Sequence, residues 1–376
     1  MQFKEIVGQE AVKKRLISSV RNNKISHAQL FFGNEGTGKL ALAIAYAQYI
    51  SCQNKSETDS CGECNSCKKY SKLIHPDLHF VFPVAKFKSS HTPVSDDYIE
   101  QWREFVNENP YFTFNQWLEK MEQAGKQALI YEKESGEIIK KLNFKTFEAE
   151  YKIMIIWIAE KMNISASNKL LKIIEEPPPK TVFILISEDA NSLLSTIISR
   201  TQPINIPLIE KQDLKNYIQT KYNLSEDEIK SAISYSKGSL IDLEKFVNDS
   251  ESNKELFEIF MEYMRAVYKF DIEEVNSVNK KIIELGREGQ KEFLLLCNRI
   301  IRENFILNIQ LDEISVLTKT EHNFSVNFSK FINPKNIEKI YQELNNAYND
   351  ILRNANPKIL FLDLSIKLTK LLRVKS

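Results

Sequence analysis

No apolar run in this sequence is long enough to cross a bilayer. Runs such as Ile153 to Ala159 fall far short of the roughly 20 residues a spanning helix needs. The opening residues, Met1-Gln2-Phe3-Lys4-Glu5, also lack the apolar core of a signal peptide, and together these lacks lead to the expectation of a cytosolic, cytoplasmic protein with no membrane contact. Charge of one sign is missing too: the formal net charge is +1, so the chain as a whole exerts no electrostatic pull on DNA or on an anionic membrane, local basic patches aside. Internal repeats and low-complexity tracts are absent. Cysteine is scarce and unevenly spread, with four of the five residues (Cys52, Cys61, Cys64 and Cys67) inside one short stretch, which in a reducing compartment argues for metal rather than disulfides. A chain of 376 residues is too long for one ordinary core and predicts two or three domains.

The stretch around which the rest is organised is Gly33-Asn34-Glu35-Gly36-Thr37-Gly38-Lys39-Leu40. The pattern G-x-x-x-x-G-K-[ST] binds phosphate because backbone N–H groups and a helix N-terminus face the ligand, the lysine reaches the outer phosphates and the final hydroxyl holds Mg²⁺. Gly33, Gly36, Thr37, Gly38 and Lys39 are therefore the candidate phosphate-binding residues, but Leu40 stands where the hydroxyl belongs. The short apolar run Leu30-Phe31-Phe32 reads as a buried strand feeding the loop, and Lys39 to Ile50 as the helix that follows it. The second half of such a site is an acidic pair at the end of a buried strand, and the candidate strand is Ile153 to Ile158. Trp157 and Ile158 occupy the acidic positions.

Cys61-Gly-Glu-Cys64-Asn-Ser-Cys67, with Cys52 upstream, can supply four thiolates to a closed structural Zn²⁺ site. An iron–sulfur cluster and unliganded thiols are the alternatives, and His75 or His79 could replace one ligand. Cys297, within Leu294-Leu295-Leu296-Cys297, reads as a small buried apolar side chain. Residues of about 86–135 interleave charge and amide groups with Trp102, Phe105, Tyr111, Phe112, Phe114 and Trp117, and predict two or three short helices carried as an insertion. Its aromatics either meet a partner or nucleic-acid bases or form the insertion's own small core, the second being favoured. Thr181 to Ile186 predicts the next strand, Leu193 to Arg200 a short helix ending in an exposed arginine, and Pro203 and Pro207 a boundary beyond which the pattern is wholly helical.

Several of these blocks resemble the bacterial clamp-loader subunits of the AAA+ class. They are Ile6-Val7-Gly8-Gln9-Glu10, His27-Ala28, Gly33 to Lys39, the cysteine module, His75-Pro76-Asp77, Asn168-Lys169-Leu170-Leu171-Lys172 running into Glu175-Glu176-Pro177-Pro178, and Ser199-Arg200. The resemblance covers most of residues 1–205. It implies an α/β P-loop (AAA+) domain with a parallel sheet over 1–205, carrying a zinc module at 52–67 and the insertion at about 86–135. A helical lid at 206–250 and a helical collar for oligomerisation at 251–376 would follow. It further implies a ring that opens a sliding clamp around primer–template DNA, with a gamma- or tau-like ATPase and a delta-like subunit as partners.

Carried over by position, Ser187 takes the sensor-1 place and Ile241 the place of the lid's sensor-2 arginine. Arg200 matches the arginine that completes a neighbour's ATP site, with Thr201 departing from the family's cysteine. Phosphoryl transfer needs Mg²⁺, cationic groups and a group that positions water. Leu40, Trp157, Ile158 and Ile241 remove these together, so the expectation is a non-catalytic member whose nucleotide is absent or bound without hydrolysis. Arg200 would act in trans, against the alternative of a solvated helix-end arginine. Lys39 would contact a phosphate or form a salt bridge inside an empty loop, and Glu160 is a weak stand-in for the lost acid. The competing readings are a gamma- or tau-like motor and a zinc-dependent nucleic-acid-binding module.

Overall fold

A computed structural model of the chain describes residues 1–86, 92–123, 126–248, 250–311 and 317–374, so residues 87–91 and 124–125 of the expected insertion lie outside the described residues. The chain divides into two compact units: Met1–Asn223 with Ser236–Glu244, and Leu224–Tyr235 with Lys245–Ser376. The expected lid at 206–250 is thereby shared between the two. No helix among the described residues is long and apolar enough to cross a membrane.

The first unit is built on a five-stranded sheet in the order β2-β5-β6-β1-β7, with β1 Ala28–Phe32, β2 Leu78–Val81, β5 Lys152–Ile156, β6 Thr181–Ser187 and β7 Gln202–Asn205. Every pairing is parallel. Parallel sheets need both faces covered, and β5 and β6 are buried at every residue as that requires. Helices α1 (Glu10–Arg21), α2 (Lys39–Ser51), α3 (Asn65–Tyr70), α7 (Ile164–Glu175), α8 (Ser195–Ile198) and α9 (Lys211–Lys221) belong to this unit. Helix α2 is apolar almost all round and is buried from Lys39 to Ile50, which makes it the central rod of the unit. Two strands were not legible from composition. β2 is only four residues long, and β7 contains Pro203, which reads as a breaker. Pro203 is tolerated because β7 is the outermost strand, where a missing N–H costs no second ladder bond.

The insertion contributes the small antiparallel pair β3 (Val84–Ala85) and β4 (Ala128–Leu129), and helices α4 (Ile99–Glu108), α5 (Phe114–Lys120) and α6 (Glu132–Asn143). Its aromatics pack together and onto the parent domain: Trp102 meets Trp117 edge-on with centroids 5.0 Å apart and stacks at 4.3 Å on Phe82, just past β2, and both indoles are fully buried.

The return from α6 into β5 is held by one carboxylate. Asp77 accepts the backbone N–H groups of Phe147 (2.6 Å), Glu148 (2.9 Å) and Ala149 (2.8 Å). Burial works against its charge, but these three donors outweigh that and hold the Asp77 carboxyl below its usual range. A depressed folded-state value means the stabilisation is complete above the unfolded carboxylate range and is lost as pH falls through the lowered value. Asp77→Ala orphans three N–H groups, so an expected loss of about 2–3 kcal/mol follows. All three tryptophans (Trp102, Trp117, Trp157) lie in the first unit, so urea unfolding followed by tryptophan fluorescence reads that loss directly; an unshifted midpoint would show that the carboxylate holds nothing.

The second unit is helical throughout its described residues, from α10 (Glu226–Ser236) and α11 (Leu240–Asn248), which straddle the division, through α12 (Ser250–Lys269), α13 (Ile272–Glu284), α14 (Gly286–Asn308), α15 (Lys319–Phe328), α16 (Ile337–Leu352) and α17 (Pro357–Leu372). Ile340, Leu344, Ala347 and Ile351 are buried at helical spacing and meet a core that includes Phe260, Tyr263, Phe293 and Phe361. Cys297 is wholly buried in that core, as its apolar surroundings predicted.

Candidate functional site

The strand–loop–helix unit forms as the glycine pattern demands. Gly36 and Gly38 adopt left-handed backbone at φ 76° and 87°, and both are crowded: a Cβ on Gly36 would lie 2.1 Å from the Ser239 hydroxyl, and one on Gly38 3.1 Å from the ring and hydroxyl of Tyr111. The Leu240 N–H donates to the Gly36 carbonyl (3.0 Å), so the segment holding Ile241 rests on the loop. Gln9 ties the loop to the chain on either side, donating to the Thr37 (3.2 Å) and Pro207 (2.7 Å) carbonyls.

Lys39 does not form a salt bridge in the loop. Its ammonium turns back onto the Gly33 (2.8 Å) and Asn34 (2.5 Å) carbonyls, and the Thr37 hydroxyl also donates to Asn34 (2.8 Å). Burial lowers the Lys39 pKa against the opposing pull of Glu188, Glu160 and Glu35. Burial likewise holds the Glu188 carboxyl up at about 7, and that of Glu35 above its usual range. Three carboxyl groups around one lysine make poor surroundings for a triphosphate without a metal.

At the magnesium corner Leu40, Trp157 and Ile158 are all buried. The Trp157 ring packs among the insertion's aromatics, 5.2 Å from Trp102 and 5.1 Å from Phe112. Ile158 sits at φ 53°, a strained setting for a β-branched residue. Trp157 is thus part of the seam that fastens the insertion to the sheet. Glu160 accepts the N–H groups of Glu188 (2.8 Å) and Asp189 (3.3 Å), which spends one of its oxygens on the turn after β6. Ser187 is wholly buried, and its hydroxyl has no hydrogen-bond partner among the described residues.

Arg200 stands just past α8. Its guanidinium donates to the Glu175 carboxylate (2.6 Å) and the Thr196 carbonyl (3.0 Å), with about a third of the side chain exposed. Strand register fixes how far this is from the chain's own loop. β7 runs parallel to β1 with Gln202 beside Gln29 and Asn205 beside Phe32, so Arg200 lies before the start of β7 while Gly33 follows the end of β1. At about 3.3 Å per residue the two sit at opposite ends of these neighbouring strands, on the order of 15–20 Å apart, farther than an arginine reaches.

At the far end of α2 the four expected cysteines converge, with ligand atoms all within 4.8 Å of one another. Cys52 and Cys61 sulfurs are 3.6 Å apart and those of Cys61 and Cys67 3.9 Å. A tetrahedron with metal–sulfur bonds of about 2.3 Å has edges of about 3.8 Å, so the set fits Zn²⁺. The N–H groups of Cys61, Cys64 and Cys67 point at the sulfurs of Cys52, Cys61 and Cys64 at 3.3–3.4 Å, an arrangement that stabilises thiolates. Those from Cys64 and Glu63 pull the Cys61 thiol down to about 6, whereas burial pushes Cys52 and Cys67 up. Neither histidine joins the set. His75 is buried against Tyr70, accepts the Asp77 N–H at 3.2 Å and is kept neutral by burial. His79 lies on β2, with its pKa lowered to about 4 by burial.

Tyr111, Gln9 and Asp77 are the residues that sequence reasoning did not single out for these tasks. Gln9 and Asp77 fall inside blocks that were noted, whereas nothing around Tyr111 distinguishes it from the insertion's other aromatics.

The family model described as DNA polymerase III, delta subunit, matches residues 8–210. DNA polymerase III subunit delta' of Bacillus subtilis (strain 168) is 30% identical over 197 residues, which is 52% of this chain and 46% of that protein. Subunit tau of the same organism is 28% identical over 211 residues, 56% of this chain and 30% of that protein. The chain thus spans less than half the length of these curated relatives. A solved gamma-subunit-related protein of Thermotoga maritima superposes over 95% of this chain and 99% of its own at 14% identity and TM-score 0.43.

Proposed function

The chain belongs to the family described as DNA polymerase III, delta subunit, and from that membership we propose that it is the delta-prime-like, non-catalytic subunit of a cytoplasmic clamp loader, assembled with a gamma- or tau-like ATPase and a delta-like subunit. Through that assembly it helps place the sliding clamp on primer–template DNA, and it lends Arg200 to the ATP site of a neighbour. The observation that carries this reading is the fate of the magnesium corner. Leu40 and Trp157 offer no Mg²⁺ ligand and Ile158 no base at the positions where the family's motors carry them, and Trp157 packs in an aromatic seam with Trp102 and Phe112 of the insertion. Phosphoryl transfer depends on those groups. Since the similarity to a tau subunit is nearly as strong as that to a delta' subunit, the choice between the branches rests on these three positions.

The placement of Arg200 supports the trans role. A guanidinium at the opposite end of the strands from its own phosphate loop is too far from that loop to serve a phosphate there, and its planar fork suits charge on a transferring γ-phosphate of a neighbour. The isolated chain is expected to show no ATP turnover above the blank in a steady-state assay with Mg²⁺. Turnover near about one per second, in the ordinary enzymatic range, would instead assign it to the motor branch.

A further inference from the structure

The phosphate loop carries a feature that its missing ligands do not account for: a stretch of the insertion is fastened across it. Asn109 donates to the Glu244 carboxylate (3.2 Å) and accepts the N–H of Tyr111 (2.9 Å). The Tyr111 hydroxyl accepts the Val7 N–H at 3.3 Å, and its ring lies against Gly38. Three residues on, the Phe114 N–H faces the Glu35 carboxylate, and the Phe112 ring is sealed against Trp157. The stretch therefore runs from Glu244 past Val7 and Gly38 to Glu35, and Tyr111 is about nine-tenths buried beneath it.

We infer that residues 109–114 form a strap that closes the phosphate loop from within, with Tyr111 as its permanent internal occupant. This rests on the reading of the loop as idle and adds what keeps it so. A phosphate can be cradled only if the backbone at Gly36 to Lys39 is open to it. Here residues 36–39 are buried, the Tyr111 ring packs on the Cα face of Gly38 and Ser239 on that of Gly36, and the Lys39 ammonium is held by two carbonyls of its own loop. Glu35, Glu160 and Glu188, the carboxyl groups that face Lys39, add a barrier to any anion that approaches. The strap links the loop at Gly38 to the Val7 segment on one side and, through Asn109, to Glu244 on the other.

Hydrogen–deuterium exchange of the full-length chain tests this, with the amides of residues 33–40 as readout, with and without millimolar Mg·ATP. In the unsubstituted protein those amides are expected to exchange at the same rate whether or not ATP is present. In Tyr111→Ala they are expected to exchange at least about tenfold faster, since the ring that holds the loop is gone, while Tyr111→Phe keeps most of the protection. Protection of residues 33–40 by ATP in the unsubstituted chain would overturn the strap, and so would a folded Tyr111→Ala variant whose loop exchanges at the original rate. Should Tyr111→Ala fail to fold, Asn109→Ala, which releases only the upstream anchor, is measured in its place and is expected to speed loop exchange too; an unchanged rate there overturns the strap. ATP protection without turnover would remove the strap and leave the trans role of Arg200 standing, whereas turnover would remove the non-catalytic reading itself.

Discussion

Replacing Arg200 with alanine is expected to slow hydrolysis about 10³-fold at the one neighbouring ATP site that faces it, which is the typical worth of an arginine finger. The isolated subunit should fold as before, because the ion pair with Glu175 is partly exposed and contributes at most about 1 kcal/mol. The measurement is single-turnover hydrolysis in the assembled complex with the other motor sites silenced, since active sites elsewhere in the ring would mask the loss. Arg200→Lys keeps the charge but not the planar fork, and should recover only a small part of the rate. An unchanged rate in the alanine variant, with assembly intact, would return Arg200 to the role of a helix-end cation bonded to Glu175 and Thr196.

Stripping zinc is the second large effect. Cys52 is the C-terminal neighbour of α2, Cys67 lies inside α3, and the loop between them is also held by the N-terminus. Gln2 donates to the Ser60 carbonyl (2.5 Å), the Phe3 and Lys4 N–H groups donate to Asp59 (both 3.0 Å), and Gln48 on α2 donates to the Ser60 hydroxyl (2.9 Å). A structural zinc site of this kind is worth on the order of 10 kcal/mol of folding free energy, because four thiolates cannot share so small a volume without a cation. The chain should contain one equivalent of zinc, and a strong chelator or Cys64→Ser should melt the cysteine loop and α3 first. Metal analysis and exchange of the amides of 52–70 are the readouts. The five-stranded sheet should outlast the module, since β5 and β6 draw their burial from helices on both faces rather than from the cysteines. Less than about half an equivalent of bound zinc would count against four-thiolate ligation.

The two halves of the candidate site were not equally legible. The cysteine set could be read because metal ligation imposes a spacing that the sequence displays directly: two C-x-x-C steps bring three sulfurs to one point whatever surrounds them, and Cys52 is delivered by the end of a helix. The glycine loop could be read for the same reason, since left-handed backbone at Gly36 and Gly38 calls for glycine locally. The apolar side chains of Leu40, Trp157 and Ile158 were visible as residue types in register with those features. The aromatic content of the insertion likewise announced a small core, which Trp102 and Trp117 form.

By itself, then, the sequence determined a buried strand running into a glycine loop and helix, a zinc-competent cysteine cluster, a mainly helical second half and apolar residues at Leu40, Trp157 and Ile158. Each of these follows from interactions between residues near one another in the chain, where backbone conformation, ligand spacing and helical period act. Tertiary structure alone decided that Pro203 belongs to an edge strand, that Arg200 and Gly33 stand at opposite ends of neighbouring strands, that Asp77 holds a segment some seventy residues downstream, and that the Tyr111 ring lies against Gly38. Those depend on parallel register and on side chains meeting across about a hundred residues, as Val7 and Tyr111 do. Neither sequence period nor composition encodes such meetings, because they exist only once the sheet and the insertion have packed together.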